Sequence, residues 1–258
     1  LERRNGETQW DVMQRQIMEE FRNKPDRWLQ QRQIRRCLHP RQEEQTLEYW
    51  EMIQQDEWLM QEILPKIGDP PIGTPLLNRQ FSPTGLHSPL TLQHAYYLPM
   101  MKEYFGFNLW ENPDIDYFLE IGGGYGNFAR IMRTLGSNFP EHVICDLPGI
   151  QEIQKTYLAK YDNIKYTLLN ERSITPRNKQ NPFMMATHSI NEMPMRDRRK
   201  VPYRSYKYMF IIHNEKFDGV DNFGYFNDLR EELKNEYNIE HWRDETYRKS
   251  WNWIAIKK

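Results

Sequence analysis

The chain has 258 residues, 38% of them apolar and 28% charged, with a formal net charge of −1. That length admits one large domain or one domain with an extension, and the balanced charge speaks against a broad nucleic-acid surface. Two cysteines, Cys37 and Cys145, make neither a disulfide framework nor a metal cluster.

Residues 1–64 read as helical. Trp10, Met13, Ile17 and Phe21 recur every three to four positions, as do Trp28, Leu29 and Ile34, then Leu47, Trp50, Ile53, Leu59 and Ile63. Pro25 and Pro40 mark breaks between helices. The segment is expected to form an amphipathic helical cap, with a lid over an acceptor site or a homo-oligomer contact as the open alternatives. Residues 65–90 are rich in Pro and Gly and read as a linker; their His87 is a candidate for a pocket wall. A helix follows over Thr91–Gly106, capped by Ser88 or Thr91 and stopped by Gly106.

From Asp116 onward strand and helix alternate, the pattern of a parallel α/β sheet. Strands are predicted at 117–121, 142–146, 164–169, 183–187 and 208–212. Helices are predicted at about 126–135, 149–160 and 222–237, with a basic helical or irregular segment at 195–206. The end departs from this alternation: residues 239–243 and 250–256 read as two strands joined by a short polar turn, a closing antiparallel hairpin. The expected division is 1–90 for the helical cap and linker and 91–258 for the main domain.

The first strand runs straight into glycines: Tyr117-Phe-Leu-Glu-Ile-Gly-Gly-Gly-Tyr-Gly-Asn-Phe-Ala-Arg130. Strand, tight turn and helix start are the expected order. Gly122, Gly123, Gly124 and Gly126 let a backbone approach a ligand closely, and the helix start offers N–H groups to a polar or anionic partner. Gly124-x-Gly126-x-x-Ala129 satisfies a dinucleotide fingerprint, which keeps an NAD-dependent oxidoreductase as the rival reading. Glu120, at the end of the strand, has no clear use beside a pyrophosphate. Glu120-x-Gly122-x-Gly124-x-Gly126 instead resembles motif I of the class I S-adenosylmethionine (SAM) methyltransferases, in which the acidic residue lies near the methionine end of SAM.

Together with Asp146-Leu147-Pro148, Ser189-Ile-Asn-Glu-Met193 and a Trp-rich final strand, this stretch resembles the sugar O-methyltransferase family over about residues 75–258. The resemblance implies a Rossmann-like class I methyltransferase sheet of seven strands, the last pair an antiparallel hairpin, with an N-terminal helical extension. It implies SAM as cofactor, and a sugar, nucleotide-sugar or glycan hydroxyl as methyl acceptor in surface-polysaccharide or natural-product assembly. It also places Asn170 near the adenine and Leu147 in the cofactor-binding set. A third reading is a protein of this fold that binds SAM without turning it over.

Asp146, at the end of the second strand, suits both hydroxyls of an adenosine ribose, whichever cofactor carries it. Ligands of open α/β sheets sit beyond the carboxyl ends of the strands. His188, Ser189, Asn191 and Glu192 after the fourth strand, and His213, Asn214 and Glu215 after the fifth, are therefore expected to face the acceptor. A neutral histidine can take a hydroxyl proton near neutral pH. His188 is the first candidate base and His213 the second, with Glu192 as an orienting group, a hydroxyl ligand or a base itself. His213, Glu215, Asp218 and Asp221 match no metal-ligand spacing, and no metal is expected. The basic run Arg196–Lys200 reads as a solvated face or as a contact for phosphates on the acceptor. No apolar run approaches the roughly 20 residues of a membrane span, and no signal-peptide pattern precedes the fold; a cytoplasmic location is the expectation. The chain opens on Leu1 and not Met, so residues ahead of it are expected.

Overall fold

The structure is a computed structural model that describes residues 9–38, 43–77, 86–136, 139–244 and 250–258. The predicted break at Pro40, the 78–85 part of the linker and most of the turn between the last two strands lie outside these residues. The chain forms two compact units.

The first unit is helical. It holds the residues up to Pro99 together with Gly124–Leu135 and Leu147–Tyr161. Its helices are α1 (Gln9–Asn23), α2 (Arg32–Leu38), α3 (Glu43–Gln54), the first part of α4 (Pro89–Phe105), α5 (Asn127–Leu135) and α6 (Pro148–Tyr157). The apolar spacing read in α1 buries Ile17, Met18 and Phe21, and the helix stops two residues ahead of Pro25, as a proline demands. Trp28 is fully buried and receives Phe21, Tyr125 and Tyr157 edge-on, at centroid distances of 5.8, 5.7 and 6.1 Å. That geometry suits the ring quadrupoles. α4 starts at Pro89, behind the Ser88 hydroxyl, which accepts from the Thr91 N–H at 3.3 Å. Asp69 braces this cap, accepting from the Ser88 N–H at 2.7 Å and the Thr91 hydroxyl at 2.9 Å.

His87, the candidate pocket wall, is wholly buried in this unit and donates through Nε2 to the Leu64 carbonyl at 2.9 Å. The buried guanidinium of Arg130 donates to the Ile67 and Gly68 carbonyls, both at 3.0 Å, and to Asn127 Oδ1 at 2.9 Å. The linker start is thereby tied to α5.

The second unit carries the sheet: β1 (Tyr117–Ile121), β2 (His142–Cys145), β3 (Ile164–Thr167), β4 (Pro182–Thr187), β5 (Tyr208–Asn214), β8 (Tyr237–Arg243) and β9 (Ser250–Lys257). A small ribbon, β6 (Lys216–Phe217) with β7 (Val220–Asp221), interrupts the series, and α7 (Glu171–Ile174), α8 (Met195–Arg198) and α9 (Asn222–Leu233) fill the connections. The sheet order is β3-β2-β1-β4-β5-β9-β8. β1 to β5 are mutually parallel, and β9 enters antiparallel between β5 and β8. This is the expected seven-stranded sheet with its closing antiparallel pair. Successive strand residues face opposite sides of a sheet, and both sides here are apolar. Leu119, Met184, Ile211 and Trp253 share a core with Phe226 and Leu229 of α9. Phe118, Phe183 and Tyr208 stack on the other side with Phe105 and Phe139.

Some boundaries differ from those predicted. β5 runs on to Asn214, because His213 and Asn214 still pair with Trp251 and Ser250. α9 stops at Leu233, since Tyr237 opens β8. The ribbon was not foreseen. Its tip, Asp218 and Gly219, takes φ of 48° and 80°, which suits a tight connection.

Candidate functional site

Strands β3, β2 and β1 run to one side and β4 and β5 to the other, so the order reverses between β1 and β4. Such a switch point is where open α/β sheets hold ligands. The ladder brings its parts together. Gly122 N–H donates to the Cys145 carbonyl at 2.9 Å, which sets Asp146 beside the glycine turn, and Asp146 N–H donates to Thr167 at 3.2 Å. From the far side, Ser189 after β4 donates its hydroxyl to the Ile121 carbonyl.

The glycines of the turn have distinct reasons. Gly122 has φ +74°, and a Cβ there would lie 2.2 Å from Ser189 Cβ. A Cβ on Gly123 would meet Ile144 Cγ2 at 2.9 Å and the carboxyl carbon of Glu120 at 3.2 Å. In the helical unit, a Cβ on Gly126 would strike Leu158 Cδ1 at 2.6 Å, whereas Gly124, with φ +55°, has nothing within 4 Å of its Cβ position. Packing thus requires three of the four, and the fourth borders open space. Gln154 holds that open position by donating to the Gly124 carbonyl at 2.8 Å.

Glu120 points back under the turn. Its Oε2 is 2.8 Å from Nε2 of His142, and the two side chains are 5% and 0% exposed. Asp146 and Leu147 are half-buried at the end of β2; Leu147 takes the extended cap position of α6, ahead of Pro148 at its first turn. Asn170 is exposed, and its Oδ1 accepts from the Ser173 N–H at 2.9 Å, capping α7.

His188 turns the chain out of β4 with φ 59°, a left-handed conformation that costs a non-glycine residue and concentrates at functional sites. Its N–H donates to the Ile212 carbonyl at 2.7 Å, and its side chain is half-buried. Glu192 closes the short turn Ile190–Glu192 and is half-buried. His213 is fully buried. Its Nδ1 lies 3.2 Å from the Asn214 carbonyl and its Nε2 3.0 Å from Nε2 of His241. A carbonyl only accepts, so His213 carries its proton on Nδ1, and its Nε2 faces His241. Burial, with the charges of neighbouring groups, holds His213 down at about 3. Both of its nitrogens are engaged and it stays neutral.

Sequence reading missed His142, Gln154, Ser189 as a support of the turn, and His241. A polar residue inside an otherwise apolar strand, such as His142, is the kind of signal that points to a buried partner. Among the described residues no group of three or more His, Cys, Asp or Glu converges as a metal site, and no helix is long and apolar enough to cross a membrane.

No protein-family model matches the chain, and no curated protein matches it. Solved structures similar to it include the methyltransferase domain of bacterial CtHen1-CN (6% identity, 64% of this chain and 97% of that one, TM-score 0.47). Another is a SAM-dependent methyltransferase from Aquifex aeolicus (15%, 61% and 88%, TM-score 0.44). A third is human N-acetylserotonin methyltransferase in complex with SAM (11%, 64% and 56%, TM-score 0.39).

Proposed function

We propose that this protein is a SAM-dependent O-methyltransferase that acts on a hydroxyl of a sugar or glycoconjugate. The observation that carries the cofactor reading is the carboxyl edge of the sheet at the β1/β4 switch. There Glu120 lies beneath Gly123 and Asp146 stands beside Gly122; in the helical unit, Gly124 has open space at its Cβ position. A buried carboxylate under the turn suits the ammonium end of an amino-acid cofactor and opposes a pyrophosphate. The sugar acceptor rests on the family resemblance of Asp146-Leu-Pro148 and Ser189–Met193.

When bound, SAM supplies an electrophilic methyl carbon on a sulfonium. In this reading Gly122, Gly123, Gly124 and Gly126 admit it to the backbone, and Glu120 faces its methionine end. Asp146 accepts from the ribose hydroxyls, with Leu147 and Asn170 towards the base. His188 takes the acceptor hydroxyl proton as the oxygen attacks, Glu192 orients the acceptor or the imidazole, and neutral His213 backs the site from inside. Holding the hydroxyl in line contributes as much as the base does.

The test is calorimetric titration with S-adenosylhomocysteine and, separately, NADH, followed by SAM turnover on a panel of sugars. Micromolar binding of the former alone, with methyl transfer to a sugar, is the expected result. Binding of NADH alone moves the protein to the oxidoreductases. Asp146→Ala should weaken S-adenosylhomocysteine, while His188→Ala should spare it and lower turnover by about 100-fold; wild-type turnover in His188→Ala would remove His188 as base.

A further inference from the structure

Behind the ends of β4 and β5 the sheet unit seals polar groups that have nothing to bond. Asn191 and Asn222 are fully buried, and neither the oxygen nor the nitrogen of either amide has a hydrogen-bond partner. Nη1 of Arg198, a residue only 1% exposed, is in the same state. Native interiors pair nearly all such atoms, and each one left over costs about 1–3 kcal/mol. A cluster of them marks a place where something else supplies the partners.

Arg198 is the more telling. Its Nε donates to the Met193 carbonyl at 2.9 Å and its Nη2 to the Asn191 carbonyl at 2.6 Å, while its guanidinium lies 5.1 Å from the Tyr225 ring centre. Among the described residues no carboxylate lies within ion-pair distance of it. What faces it is the Tyr225 ring, whose hydroxyl lies 3.2 Å from that of Tyr203. A buried cation is normally paired.

The three residues share one neighbourhood. Asn191 sits in the turn after β4, Asn222 opens α9, and ribbon strand β6 packs against both elements. Arg198 joins them through its bond to the Asn191 carbonyl. We propose that Arg198, Asn191 and Asn222 recognise an anionic, hydroxyl-bearing acceptor, with the β6–β7 ribbon as the cover that lifts to admit it. Nη1 donates to a carboxylate or phosphate oxygen in the charge-assisted geometry that suits arginine. The two amides, each with a donor and an acceptor, take the adjacent hydroxyls. The inference rests on the methyltransferase reading of the same sheet edge and narrows its acceptor to acidic or phosphorylated sugars.

The test follows thermal unfolding of the full chain at constant ionic strength with inorganic phosphate, acetate, glucuronate or glucose 6-phosphate, against chloride and glucose. The expected result is saturable protection of the wild type by a phosphate or a carboxylate probe, and none by glucose. The phosphate and carboxylate arms tell the two anion sources apart. Arg198→Met should weaken that protection by about tenfold or more, the loss of one charge-assisted hydrogen bond. Asn222→Leu is the second variant, should Arg198→Met fail to fold, and should weaken glucuronate or glucose 6-phosphate more than bare phosphate or acetate. No protection beyond chloride, or equal protection in both variants, would overturn the site. S-adenosylhomocysteine titrated into the same samples separates the two readings. Cofactor binding without anion protection ends this inference alone, whereas anion protection without cofactor binding ends the methyltransferase reading and leaves the anion site standing.

Discussion

Glu120 on β1 and His142 on β2 meet through a 2.8 Å contact while both are nearly closed to water. The register places Glu120 opposite Ile144 and His142 opposite Phe118, so the carboxylate reaches back along the neighbouring strand. One oxygen is thereby fixed, and the rest of the group lies under Gly123, whose Cβ position is 3.2 Å from its carboxyl carbon. His142 therefore positions the group assigned to the methionine end of the cofactor. His142→Leu should cost about 3 kcal/mol of stability, because it strands a buried carboxyl group, and should weaken S-adenosylhomocysteine as well. His142→Gln, which can still donate, should recover much of the affinity. Calorimetry beside urea unfolding reads both effects; unchanged affinity in the leucine variant would make the pair purely structural.

The glycines divide by the same logic. Gly122→Ala drives a methyl into Ser189 and should destabilise the fold. Gly124→Ala meets no atom, so its only folding cost is the left-handed backbone, about 1 kcal/mol. It places its methyl in the space assigned to the cofactor and should still lose S-adenosylhomocysteine binding. A Gly124→Ala protein with near-normal melting and wild-type affinity would put the cofactor elsewhere.

Much of this was readable beforehand, for physical reasons. The alternation of buried apolar runs with helical spacing marks each strand of the sheet, and the departure from alternation after α9 marks the antiparallel pair. The glycine turn was legible because close approach and positive φ leave few other residues possible. What could not be read was pairing across the chain. Nothing local to His142 names Glu120 as its partner, and nothing near Asn191 says that its amide stays unbonded. His213 illustrates the limit. Its place at a strand end was legible, whereas its burial and its contact with His241 are tertiary facts.

Two imidazoles buried in neutral form make stability depend on pH. Burial holds His94 at about 3 and His213 at about 3, against 6.5 when exposed. His94 Nδ1 accepts from the Asn127 amide at 3.2 Å, an arrangement that protonation breaks. Between 6.5 and these folded values the unfolded chain binds protons that the folded chain refuses. This stability is therefore fully present above pH 6.5 and falls as pH drops, by about 1.4 kcal/mol per pH unit for each histidine. Urea midpoints measured from pH 7.5 to 5 should decline, and His94→Gln, whose oxygen can still accept, should flatten the slope. A midpoint independent of pH over that interval would contradict the neutral buried state.

Arg130 bears on how the segment before α4 is held in the helical unit. Its guanidinium is 1% exposed and satisfies the carbonyls of Ile67 and Gly68, Oδ1 of Asn127 and, at 3.3 Å, the hydroxyl of Thr91. Methionine fills similar volume without a donor, so Arg130→Met takes from the Ile67 and Gly68 carbonyls the guanidinium that satisfies them. The expected cost is about 3 kcal/mol, read as a lower urea midpoint. Faster proteolysis around residues 65–77 should accompany it, since local opening follows lost anchoring. Arg130→Lys keeps the charge but reaches fewer of the four acceptors, and should fall between the two. If the methionine variant unfolds at the wild-type midpoint, the network is incidental and apolar packing alone holds the segment.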